Sequence, residues 1–167
     1  MRRILGIDPG SRRTGFGVIE VAGPRLTYVA SGCIRSPEET LAQRLHTIHE
    51  EVAALVRAYR PGEAVIENVF VRRNAAAALK LGQARGAALC ALAGCGLPVY
   101  EYSPAQVKQA VVGRGRAEKV QVQHMVQALL GLAAPPPADA ADALACAICH
   151  GHRGPALAAL AAAGGPP

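Results

Sequence analysis

The chain has 167 residues, of which 51% are hydrophobic, 18% charged and 4% aromatic, a balance that suits one α/β-sized core and excludes a wholly disordered chain. Two independent domains are excluded too, because each half would bury too little surface to be stable alone. Eighteen Lys and Arg against twelve Asp and Glu leave a net charge of +6, which fits a polyanionic partner, nucleic acid first.

Fifteen of the basic residues are Arg, a preference that a genomic base-composition bias can also produce. The acidic side is more selective. It includes only three aspartates, Asp8, Asp139 and Asp142. Residues 1 to 8 pass from two Arg into a short apolar run without the long apolar stretch and cleavage site of a signal peptide, and no span of bilayer length follows. The expectation is a cytoplasmic protein with no membrane partner and with its five cysteines reduced.

In chain order, RILGID (3–8) reads as a strand closed by Asp-Pro-Gly, and two further runs, 14–22 and 25–34, are joined by Gly23-Pro24. Together they predict an antiparallel meander. Ser36, Pro37 and Glu39 have the form of a helix start, and Leu41, Leu45, Ile48, Val52, Leu55 and Val56 follow at helical spacing up to about Arg60. AVIE (64–67) is a short strand, made parallel to an earlier one by a right-handed crossover.

Asn74 caps an Ala- and Gly-rich helix to about Gly94. PVYEY (98–102) gives a fifth strand, and Ser103-Pro104-Ala105-Gln106 is a capping box opening a helix through Val112. GRGR (113–116) is a basic loop; helices are expected over about 118–130 and 138–150, with a frayed Ala/Gly/Pro tail over 151–167. The fold class is thus α/β, a mixed five-stranded sheet of antiparallel meander plus parallel strands, flanked by helices, with one domain over 1–150.

Asp8 ends the first strand and Glu67 ends the strand after the first helix. If those strands are neighbours, both carboxylates lie at one sheet edge, where open α/β sheets place their sites. Asp139 and Asp142, spaced i, i+3, share one face of the last helix. Four acids at one place repel unless a cation sits among them. Oxygen ligands without His or Cys suit Mg²⁺ or Mn²⁺, and two such ions could activate water against a phosphodiester. Taken singly, each acid also has an ordinary reading as a turn residue, a strand end, a helix cap or a first-turn charge.

Six blocks then carry a resemblance: GIDPGSRRTGFGVI (6–19), IENVF (66–70), ALKLGQARG (78–86), QVKQAVVG (106–113), EKVQVQHMV (118–126) and ADAADALA (138–145). In this order they resemble the RuvC family of Holliday-junction resolvases, over about residues 3–150. The resemblance implies a ribonuclease H-like fold, a homodimer, divalent-metal catalysis and paired nicking of four-way DNA junctions in recombination and repair; with the oxygen donor set, the expected cofactor is Mg²⁺, with Mn²⁺ able to substitute, at two ions per site.

It also implies that Asp8, Glu67, Asp139 and Asp142 are the metal ligands, that Phe70 wedges at the junction centre, and that Lys108 and Lys119 lie near the scissile phosphate. A branch-migration helicase complex, RuvA and RuvB, is a further implied partner. Arg72, Arg73, Arg114 and Arg116 are candidate phosphate contacts. Small residues at Ala76, Ala77, Gly82, Ala84, Gly86 and Ala87 would let a second copy's helix approach closely.

Three rival readings are weaker. Cys146-Ala-Ile-Cys149-His150 matches a haem-attachment string, but it lies in an apolar helix where two thiols pack as small hydrophobes. The DPGSRRTG turn resembles the phosphate loop of actin-like and sugar kinases, which need two domains. A ribonuclease H-like processor of ribosomal RNA lacks the IENVF and ADAADALA combination, and a non-catalytic junction-binding module would be favoured by loss of any one of the four acids.

Overall fold

The computed structural model describes residues 1–36, 40–68 and 74–162, the side chains of 155–162 excepted. In chain order the elements are β1 (Arg2–Asp8), β2 (Arg13–Ala22), β3 (Arg25–Arg35), α1 (Leu41–Tyr59), β4 (Glu63–Glu67), α2 (Ala75–Gly94), β5 (Val99–Tyr102), α3 (Pro104–Val112), α4 (Lys119–Leu130) and α5 (Ala138–Ala162). The strands form one sheet in the order β3-β2-β1-β4-β5. β1, β2 and β3 pair antiparallel, whereas β4 pairs parallel with both β1 and β5. The meander and the parallel addition are as the sequence predicts.

Successive strand residues point to opposite faces, and both faces of this sheet are covered. Leu5, Ile7, Val18, Ala64 and Ile66 pack with Ile48 and Val52 of α1 and Ala88 and Leu92 of α2. Ile4, Ile19, Val65 and Tyr102 pack on the other side with Val107 of α3, Val126 of α4 and Leu144 and Ile148 of α5.

Helix α5 lies very close to the strands, and glycines make that possible. An added Cβ at Gly6 would come within 2.1 Å of the Ala143 carbonyl oxygen, at Gly15 within 2.0 Å of the Asp139 carbonyl oxygen, and at Gly17 within 2.7 Å of the Leu144 side chain. Any larger residue at these three positions pushes α5 off the sheet.

Two local expectations are corrected. The cap of α1 is Thr40, not Ser36: its side chain accepts from the Gln43 N–H while the Gln43 side chain accepts from the Thr40 N–H. Ser36 instead follows the last residue of β3, its N–H donating to the Arg12 carbonyl at 3.2 Å; Pro37 and Glu39 lie outside the described residues. The second correction concerns α5, which runs on to Ala162 rather than ending near His150. The sequence leaves 151–167 as a frayed tail, but the bareness of Gly151 and Gly154 admits the Val21, Leu26 and Arg2 side chains, and Arg2 donates to the Gly151 carbonyl at 3.3 Å. The caps at Asn74 and at Ser103 with Gln106 form as predicted.

Candidate active site

The sheet register sets one row of residues under the start of α5. Cys33 of β3 pairs with Gly15 of β2, Gly15 pairs with Asp8 of β1, and Glu67 of β4 pairs with Tyr102 of β5. Ile7 pairs with Ile66, so Asp8 and Glu67 stand abreast at the same edge. Because α5 begins directly over Gly15, Asp142, one turn further along, comes down beside them. Asp8, Glu67 and Asp142 line one cleft of about 190 Å³ together with Pro104, Val107 and Lys108 of α3 and Lys119 and Val122 of α4.

The electrostatics of this cleft are unfavourable to its own charges. Burial, reinforced by Glu67 and Asp142, pushes the Asp8 carboxyl up to about 8, and Asp8 shares a hydrogen bond with Glu67. Glu67 is raised as well, by burial first and Asp142 second, against the pull of Lys119 and Lys108. Both carboxyls are therefore pushed towards the neutral form, as carboxyls this close cannot both ionise freely. Lys119 Nζ lies 3.2 Å from Asp142 Oδ2, yet its side chain is 71% exposed, so it only partly neutralises the group.

Asp139 sits in the first turn of α5, where the helix dipole favours an anion. Its carboxylate is turned to the β3 side, with Cys33 Sγ 3.9 Å from Oδ2. The Cys33 thiol is raised by burial and by Asp139, while Arg13 and Arg35 pull the other way. Asp8, Glu67 and Asp142 are therefore gathered in one cleft, with Asp139 at its margin. Among the described residues no three His, Cys, Asp or Glu side chains converge tightly enough to form a metal cage. The donor set is nonetheless all oxygen, and the raised Asp8 and Glu67 carboxyls mark the repulsion that a divalent cation would relieve.

Of the other expected site residues, Lys108 and Lys119 are brought to the cleft. Arg114 and Arg116 are not: they are exposed in the loop between α3 and α4 and do not line it. Phe70, Arg72 and Arg73 lie outside the described residues. Arg85 was missed by sequence reasoning. From α2 its Nε donates to the Glu67 carbonyl at 3.1 Å and its guanidinium pairs with Glu101 of β5, so it fastens the backbone of Glu67 to two elements. An Arg in a helix of small residues was the signal available, but nothing in one dimension pairs position 85 with position 67.

Strand order, strand senses and a carboxylate row at the edge where β1 and β4 end are together those of a ribonuclease H-like nuclease. The family model for crossover junction endodeoxyribonuclease RuvC matches residues 4–150, and the chain belongs to that family. A crossover junction endodeoxyribonuclease RuvC of Marinobacter nauticus is 58% identical over 165 residues, covering 99% of this chain and 94% of its own. The enzyme of the same name from Hahella chejuensis is 62% identical over 152 residues, covering 91% and 88%. Among solved structures, Thermus thermophilus RuvC in complex with Holliday junction substrate superposes with a TM-score of 0.84 at 38% identity, over 90% of this chain and 93% of that one.

Proposed function

We infer that this chain is a structure-selective endonuclease that resolves four-way DNA junctions by metal-dependent hydrolysis of two strands of like polarity, in homologous recombination and DNA repair. The observation that carries the reading is the row of Asp8 and Glu67 with Asp142 descending onto it, in a protein of net charge +6. In this reading Asp8, Glu67, Asp139 and Asp142 hold the metal, Mg²⁺ with Mn²⁺ as a substitute, and two ions per site suit four carboxylates. When bound, the ions supply an activated water and charge stabilisation at the leaving oxygen.

The chain's own groups do the rest. Asp8 and Glu67, whose carboxyls resist ionising together, would bind the metal as carboxylates. Lys108 and Lys119 neutralise the phosphate from the α3 and α4 side, and Arg85 holds Glu67 in place. Phe70, Arg72 and Arg73 follow β4 directly in sequence, where an aromatic can stack on an opened base, and Arg114 and Arg116 reach DNA further out.

A two-fold homodimer fits the outer face of α2. Leu79 is 64% exposed there, and a Cβ at Gly82 or Gly86 would meet nothing. Ala84, which the sequence assigned to that face, is instead buried inward with Ala88. Two sites related by a two-fold axis match two strands of like polarity by geometry alone. Docking of RuvA and RuvB and a cytoplasmic location belong to the same reading; among the described residues no helix is long and apolar enough to cross a membrane.

The test is a labelled synthetic four-way junction with and without Mg²⁺. Symmetric nicks that require the metal are expected, and Asp8→Asn, Asp139→Asn and Asp142→Asn should each cut at under about 1% of the normal rate while still binding the junction. Sedimentation equilibrium should give twice the 17.2 kDa chain mass. Full cleavage by any of these variants removes that residue from the site.

A further inference from the structure

β2 begins with Arg13 and β3 ends with Arg35, and the antiparallel register sets the two directly opposite each other. Both belong to the alternate residues that face α5, two positions outward from Gly15 and Cys33, so they stand about 7 Å beyond the row that holds Asp8. Because α5 starts over Gly15, it leaves this margin uncovered, and both arginines are exposed. Among the described residues neither makes a salt bridge. The Ser36 N–H to Arg12 carbonyl bond ties the two strand ends together, so the pair is held in place rather than splayed.

Like charges directly opposite on antiparallel strands destabilise the pairing. An anion between the two removes that penalty, and guanidinium forks match phosphate oxygens two at a time. The position adds a direction. Lys108 and Lys119 flank the carboxylates from the β5 side, whereas Arg13 and Arg35 flank them from the β3 side, beyond Asp139.

We propose that Arg13 and Arg35 form a clamp for a backbone phosphate of the cleaved DNA strand, next to the scissile phosphate on the Asp139 side. The strand then crosses the sheet edge from α3 to β3, with the carboxylates midway between two cationic supports. The clamp reads no base, so it contributes affinity and register but no sequence preference. It rests on the junction-nuclease reading given above.

The experiment uses the full chain without divalent metal and a labelled four-way junction, with affinity measured between 50 and 200 mM salt. Arg13→Gln and Arg35→Gln are each expected to lower the slope of log affinity against log salt by about one, so that the deficit against wild type changes about 3.5-fold per lost contact across that range. Arg13→Lys keeps most of the slope. Arg25→Gln, an exposed arginine at the other end of β3, leaves it unchanged. The thermal midpoint of the two glutamine variants stays level or rises, because an opposed like-charge pair has been relieved, and a purely structural role predicts a fall. Unaltered slopes, or midpoints that drop together with binding, overturn the clamp. A wild-type protein with no preference for the junction over duplex overturns the nuclease reading instead.

Discussion

Glu63 and Glu67 begin and end the same strand, and α5 faces both of them, yet the two ends of this β4–α5 contact are built oppositely. At the Glu63 end every charge is answered. Arg2 Nη1 and His150 Nε2 each lie 2.9 Å from a Glu63 oxygen, and His150 Nδ1 shares a 2.8 Å hydrogen bond with the Tyr102 hydroxyl. His150 is 1% exposed and stacks on Tyr100 with ring centroids 4.2 Å apart. Burial raises the Tyr102 phenol to about 12, which keeps it a neutral partner for the imidazole. At the Glu67 end three carboxylates face one another, and the cations that line their cleft are a half-buried Lys108 and a mostly exposed Lys119. One end consumes its polar groups in holding α5 to the sheet; the other leaves them available for a ligand. The first end fixes the axis of the helix, and the second uses that fixed axis to present Asp142.

Exchanging the comparable glutamates gives the largest contrast. Glu67→Gln should lower cleavage at saturating Mg²⁺ by about 100-fold or more and leave urea stability equal or higher, because a repulsion has gone. Glu63→Gln should do the reverse, costing about 1–3 kcal/mol of stability with cleavage near wild type at 25 °C. If Glu63→Gln abolished cleavage at full stability, the two ends would not be separable.

The register of α5 on the sheet comes next. Gly15→Val places side-chain atoms where the Asp139 carbonyl lies, so the helix start must shift, and a displacement near 1 Å costs roughly 10–100-fold in rate. Junction affinity should change less than about threefold, since phosphate contacts supply it. Single-turnover rates beside binding curves separate the two effects. A smaller loss, about tenfold, is expected for Arg85→Ala, which frees the Glu67 carbonyl. Arg85→Lys should recover part of it, and a raised Mg²⁺ requirement in both variants would place the fault at Glu67 rather than in general folding.

The smallest effect is on pH dependence. Asp8 binds its proton more tightly when folded, with its pKa raised from 3.8 to about 8. The unfolded chain therefore holds fewer protons between those values, so the contribution of Asp8 to stability in EDTA is fullest below pH 4 and is lost as pH rises towards 8. Urea midpoints at pH 5, 7 and 9 check this. Mg²⁺ should remove the decline, as should Asp8→Asn; a decline that survives both would have to come from other groups.

Much of the Glu67 end is legible in the chain because its residues sit at pattern boundaries. Asp8 and Glu67 close apolar runs, and Asp139 and Asp142 share a helical face by spacing alone. The Glu63 end has no such mark. Glu63 and His150 lie 87 positions apart, and the string around Cys146 and Cys149 draws attention to metal or haem chemistry although both thiols are simply buried. Arg85 is hidden for the same reason, since its partners are a backbone carbonyl and a carboxylate on two other elements.

By itself the sequence determined the α/β class, the order and direction of the strands, and four acids at element ends, because those follow from local periodicity, turn chemistry and the handedness of the crossover. Only the tertiary structure decided how close α5 comes to the sheet, that Asp139 stands to the β3 side while Asp142 enters the cleft, and that α5 continues past Gly151. These are matters of packing: whether a glycine breaks a helix or admits a neighbour depends on what lies opposite it, and that is set only when the layers meet.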